Sequence, residues 1–378
     1  MANPPRLSAY VDPKLRRARL RWRWRTGLGL VILAFVVVSF VSGCSPLYVM
    51  RAAYEEGKIL WRREPIADYL GKPDLVPADG VKLRLVLEVR DYAKDVLKMN
   101  VGGSYATYSY VDRPDLAFIL TAAPRTELKP YTWWFFFVGS VPYKGYFSKE
   151  EAEQAASELE AKGYDTTIRT TAAFSTLGWF DDPLLSHLLR YDKVTLAEII
   201  FHELLHSTFY VKGSGDFNES FANFVGSRAA IEFFRHKSGP ASSEYQEALR
   251  DWQEELKFSE FIEEVAKSLD ELYSRNISYE DKLRLRQELF EKAQADWAQR
   301  SSDLRISRFR RFTERTLNNA VLINYLLYFR NLKLFDEIYE AKDQNLVATI
   351  DVVRQAVEKG GDPFERVQAL VDGNKNVS

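Results

Sequence analysis

Residues 195–220 read TLAEIIFHELLHSTFYVKGSGDFNES, and the folding of this stretch decides the architecture around it. Apolar positions recur at helical spacing through residue 210, and Thr195 with Glu198 three residues on matches a capping box that would start a helix there. Glu198, His202 and His206 stand at i, i+4 and i+8 and so share one face. VKGSG, residues 211–215, breaks the pattern before a second apolar-periodic segment begins. The stretch therefore predicts two antiparallel helices joined by a short turn. Gly213, at the centre of that turn, lies about midway between His206 and Glu219, which brings Glu219 level with the histidines.

Two of the four histidines in 378 residues fall one helical turn apart with a glutamate between them. Imidazoles so placed can converge on a single ion, as HExxH does with zinc. Glu203 lies about 100° round the helix from His202, beside a bound ion, where a base takes a proton from water. A zinc site of this kind needs a third protein ligand and an open position for water. The turn selects Glu219 first and Asp216, nearer the bend, second; Glu232 and His236 lie several turns away. The competing reading is a helix whose histidines only satisfy local hydrogen bonds.

The N-terminus has a different composition. Eight basic side chains between Arg6 and Arg25 face one acid, Asp12, and the apolar run LGLVILAFVVVSFV, residues 28–41, follows. These 14 residues fall short of the about 20 that cross a bilayer as a helix, so a cleaved export signal over residues 1–43 is expected. VSGC, residues 41–44, resembles a bacterial lipobox, and Cys44 is the only cysteine. In that resemblance Cys44 becomes the lipidated N-terminus of a membrane-anchored lipoprotein in the cell envelope. Ser45 after it resembles lipoproteins sorted to the periplasmic face of the outer membrane. With no cysteine beyond Cys44, the exported body must be held by core packing without disulfides. Past residue 43 there remain 44 basic and 52 acidic side chains, a net charge near −8, which gives nucleic acid nothing to bind. A hydrophobic content of 46% excludes a disordered chain and allows one large or two modest domains.

Residues 44–80 read as a membrane-proximal helix and a turn-rich tether. Residues 81–182 mix a helix-like KLRLVLEVRDYAKDVLKM with β-rich runs, among them TWWFFF, residues 132–137, expected as a buried strand. Ser148 with Glu151 forms a capping box, Gly163 is placed to end that helix, and a strand follows. Residues 183–378 carry an amphipathic helical pattern whose charge runs read as solvated faces. The expected fold class is α+β and predominantly helical, with a small β-containing region packed on a helical domain.

Several stretches together resemble one known family: the lipobox, VGSVPYKGYFS at 138–148, STLGWFDDPLL at 175–185, FHELLHSTFYVKGSGDFNESFANFVG at 201–226 and LNNAVLINYLLY at 317–328. These look like the bacterial "putative zinc aminopeptidase" family across most of the chain past the signal. HExxH followed by NESFA is also similar to the wider gluzincin peptidases. The resemblance implies a zinc metallopeptidase acting on peptides, with His202, His206 and Glu219 as ligands and Glu203 as the catalytic glutamate. The 12 residues between His206 and Glu219 are fewer than in the best-known gluzincins, and the GAMEN signature that reads a free amine is missing. Tyr210, Tyr143, Tyr146 and Tyr328 are candidates to stabilise an oxyanion; Tyr328 is favoured because it lies in LNNAVLINYLLY with Asn318 and Asn319. Asn218 and Glu198 are candidates to orient the ligands, Glu198 being equally a capping glutamate. Trp179, Phe180, Asp181, Asp182 and Pro183 either line a substrate cleft or form an aromatic loop. The rival function is a noncatalytic envelope lipoprotein or scaffold with a structural HExxH helix. A zinc hydrolase acting on another amide is a third reading.

Overall fold

The computed structural model describes residues 54, 57–113, 115–135, 139–171, 181–304 and 307–375. The lipobox, Cys44, Trp179 and Phe180 lie outside them. The fold is predominantly helical α+β. Helix α1, Pro77–Asp95, opens on a proline, which suits a first-turn position where the missing N–H is no loss. Its inner face, Leu83, Val86, Val89 and Ala93, is fully buried.

The β-containing region centres on β3, Ala117–Pro124, which pairs antiparallel with β7, Tyr164–Thr171, over eight residues, and with the short β6, Lys144–Tyr146. Helix α2, Lys149–Glu160, is capped by the Ser148 side chain accepting from the Glu151 N–H, and Gly163 follows at a φ of +85°. Ala152, Ala156 and Leu159 of α2 press on Leu120, Ala122 and Tyr146 to close a small core of their own. A peripheral hairpin joins β4, Trp133–Phe135, to β5, Gly139–Val141. Trp134 is 48% exposed there while Trp133 packs against the small core, which corrects the expectation of a buried strand: successive side chains face opposite sides of the hairpin, and only one side is covered. Three further short strands complete the set, β1, Glu64–Pro65, antiparallel to β2, Thr107–Ser109, which runs parallel to β8, Leu184–Leu185.

The large core belongs to the helices α3, Lys193–Thr208; α4, Gly215–Ser238; α5, Ser243–Ser274; α6, Tyr279–Arg300; α7, Asn319–Phe329; and α8, Leu332–Ala341. Phe217, Phe221 and Phe224 of α4 form a ladder against Phe335. Phe258 and Phe261 of α5 pack on Trp297. The charge runs are not solvated throughout. Glu255 is buried and accepts from Ser227 at 2.9 Å and Asn223 at 3.3 Å, because its helical phase turns it toward α4. Arg286 of α6 donates to Asp165 of β7 at 2.6 Å in a largely buried pair, and Asp165 also accepts the Asn319 N–H at 3.0 Å. These bonds fasten the small sheet to the helical body.

Candidate metal centre

Helix α3 starts three residues earlier than the capping box suggests. Asp192 is the cap, its carboxylate accepting the Thr195 N–H at 2.8 Å, so Glu198 is no capping residue. The helix stops at Thr208, and Gly213 takes a φ of +84° in the turn. Asn218 secures that turn: its amide accepts from the Val211 N–H at 2.8 Å and donates to the Val211 carbonyl at 2.7 Å. The side chain suggested as an orienter of ligands thus shapes the loop between the two helices.

Helices α3 and α4 then run close together. A Cβ on Gly226 would stand 2.8 Å from the Glu198 carbonyl oxygen and 3.3 Å from the His202 Cβ, so the approach needs a residue without a side chain. Glycine within a helix costs about 1 kcal/mol against alanine, yet Gly226→Ala is expected to destabilise the protein. Overpacking against backbone costs about 1–3 kcal/mol, and urea denaturation reads the difference.

That approach brings His202, His206 and Glu219 together, one ligand atom from each lying within 4.8 Å of the others. The two Nε2 atoms are 3.2 Å apart. Glu219 places its carboxylate oxygens 3.3 Å from His202 Nε2 and 3.7 Å from His206 Nε2. Zinc bonds of about 2.0–2.2 Å at tetrahedral angles set ligand atoms about 3.3–3.6 Å apart; the 3.2, 3.3 and 3.7 Å separations fall close to that range, with a different carboxylate oxygen facing each histidine. The runners-up are engaged elsewhere: Asp216 pairs with Arg330 at 3.0 Å, Glu232 accepts from Tyr339 at 2.9 Å, and His236 lies against the Tyr92 ring.

Electrostatics separate the carboxylates. Burial raises Glu203 to about 7, with Glu219 and Asp182 adding to the rise and His202 opposing it. Burial also works against charge on Glu219, but His206, His202 and Arg169 outweigh it and hold Glu219 below the usual range. His206 is lowered to about 4 by burial. On His202 burial is outweighed by the Glu219 hydrogen bond and the negative field of Glu203, and its pKa rises.

Tyr328 stands beside this group, its ring centroid 6.3 Å from that of His202. Arg169 of β7 donates to the Tyr328 oxygen at 2.8 Å and to Asn324 at 2.9 Å. The Tyr143 phenol is pushed well up by burial, with Glu219 and Tyr328 adding to it, and the Tyr210 ring lies 6.2 Å from His206 at the rim. Tyr146 belongs to the small core. Asn318 caps α7, and Asn319 donates to the Pro124 and Glu127 carbonyls, so both asparagines join sheet to helix. Asp181 accepts the Gly103 N–H at 2.7 Å. Buried Asp182 accepts the Tyr105 N–H at 2.7 Å on its carbonyl. Tyr105 is itself buried at a φ of +57°, a backbone that bulky residues seldom adopt. Burial, Glu203 and Asp182 together raise its phenol.

Arg169, Tyr105 and Gly226 escaped the sequence reading. Gly226 left a trace, a glycine inside an apolar helix; Arg169, in the strand YDTTIRTT, left none.

Residues 47–370 match a family model that places the chain among the peptidases. The model is described as "Putative aminopeptidase", and the chain belongs to that family. Neither a curated protein nor a solved structure matches the chain.

Proposed function

We propose that the protein is a zinc-dependent peptidase, probing peptide substrates from a membrane-anchored position in the cell envelope. The observation that carries this reading is the convergence of His202, His206 and Glu219 on one point beside Glu203. The three would hold the ion. When bound, zinc supplies Lewis acidity that makes water a nucleophile near neutral pH. Glu203 accepts the proton of the attacking water and returns it to the leaving amine. Burial works in favour of its neutral form, the form that delivers a proton to the leaving amine. Tyr328 serves the oxyanion. An arginine has donors only, so the phenol oxygen accepts from Arg169 and keeps its single proton for the substrate oxygen. Aminopeptidase action is the family's description and the finer form of the proposal. Cys44, lipidated in place of the export signal, would supply the anchor.

The test is metal content and hydrolysis measured on one preparation. About one zinc per chain, with cleavage of a peptide library that chelation stops and zinc restores, supports the reading. No zinc after reconstitution sinks it in favour of a noncatalytic lipoprotein. Peptides with free and acetylated N-termini then separate amino-terminal from internal attack.

Arg169→Met is expected to lower kcat with KM and zinc content unchanged. The loss should be smaller than the about 10²–10³-fold expected for removing an oxyanion donor outright, as in Tyr328→Phe. Single-turnover kinetics on the two variants check that order.

A further inference from the structure

The N-terminal edge of the described chain carries a surface that the peptidase reading does not use. Tyr54 and residues 57–61 are helical. Ile59 turns inward to join Leu116 and Leu185 in a small apolar cluster, and its carbonyl accepts the Ser109 hydroxyl at 2.9 Å. This docking fixes the helical phase. Tyr54, Lys58 and Trp61, at i, i+4 and i+7, then share one face, with the Lys58 ammonium 5.5 Å from the Tyr54 ring centroid. Trp61 is 90% exposed and Tyr54 65%. Tyr110, 61% exposed, continues the surface across a shallow groove shared with Lys58, Arg113 and Arg62, the last in an exposed pair with Asp112 at 3.2 Å that leaves the groove net positive.

A tryptophan left almost wholly in water forgoes the gain of burying its ring. Exposed aromatic rings among lysines and arginines match the headgroup level of a bilayer, where the rings sit at the interface and the cations meet phosphates. The positive groove is local, because the chain past residue 43 is near −8 overall. Its place in the chain points the same way: Cys44, the proposed lipid anchor, lies 10 residues before Tyr54, a reach of at most about 35 Å. A membrane that holds a lipid on Cys44 has this surface beside it.

We propose that Tyr54, Trp61 and Tyr110, with Lys58, Arg62 and Arg113, seat the body on an anionic phospholipid surface. The contact sets how the cleft is presented relative to the membrane, and it stands whether or not the cleft is a peptidase. The full chain reconstituted into phosphatidylglycerol–phosphatidylethanolamine vesicles, with and without brominated acyl chains, tests this by fluorescence. Subtracting the emission of Trp61→Phe from wild type isolates Trp61 from the other seven tryptophans. The expected result is loss of the Trp61 component in brominated vesicles and protection from aqueous iodide. Combining Lys58→Glu with Arg62→Glu should restore iodide quenching. Quenching by iodide but not bromine would place the surface in water, and quenching by neither would mean that protein covers it; either overturns the proposal. Unchanged bromine quenching in the double charge variant overturns its anionic part.

Discussion

Glu203→Gln is expected to keep its zinc and lose turnover, kcat falling by about 10²–10⁴-fold, the range general acid–base catalysis supplies. The amide matches the carboxylate in shape but cannot take a proton from water. His202, His206 and Glu219 hold one another's positions without it, so the metal complement should stay as in wild type. Metal analysis beside steady-state kinetics separates the two effects. An active Glu203→Gln enzyme would move the base elsewhere, and loss of zinc in it would make Glu203 part of the binding set.

Glu219→Ala is expected to fail one step earlier, losing metal and activity together. It removes one of the three proposed ligands and leaves two imidazoles. The loss in zinc affinity should exceed the 10–100-fold that a mere supporting partner costs. Asp216 is poorly placed to replace it, since it is paired with Arg330 at 3.0 Å. The fold should survive. Ser220, the next residue, ties α4 to α7 by donating to the Leu327 carbonyl and accepting the Arg330 N–H, both at 3.2 Å. Competition with a zinc indicator, alongside circular dichroism, would show lost metal on an intact fold. Wild-type zinc affinity in this variant would remove Glu219 from the site.

The helix pair was legible because its signals are local. His202 and His206 lie one turn apart, the glycines of the turn break the pattern, and the short loop leaves Glu219 only one level to reach. The start of α3 was misread for an equally local reason: Thr195–Glu198 and Asp192–Thr195 both offer a capping oxygen three residues before an amide, and only the fold chooses. Trp134 read as core because aromatic runs commonly are; Trp133 does pack on the small core, and nothing in the run reveals that the hairpin is covered on one side only. Glu255 was hidden among solvated acids because burial depends on helical phase relative to a neighbour distant in sequence. Arg169 lies 159 residues from the tyrosine it bonds, and no spacing rule reaches so far.

The groups around the proposed metal position rest on separate apolar cores. Arg169 stands on the strand whose sheet closes over α2, while the histidine pair rides on the large helical core. Cooperative opening units in proteins often follow such boundaries. A lesion that loosens the sheet, such as loss of the Arg286–Asp165 clamp, would therefore yield molecules still charged with metal yet catalytically silent. Loss of activity on heating need not track loss of the ion.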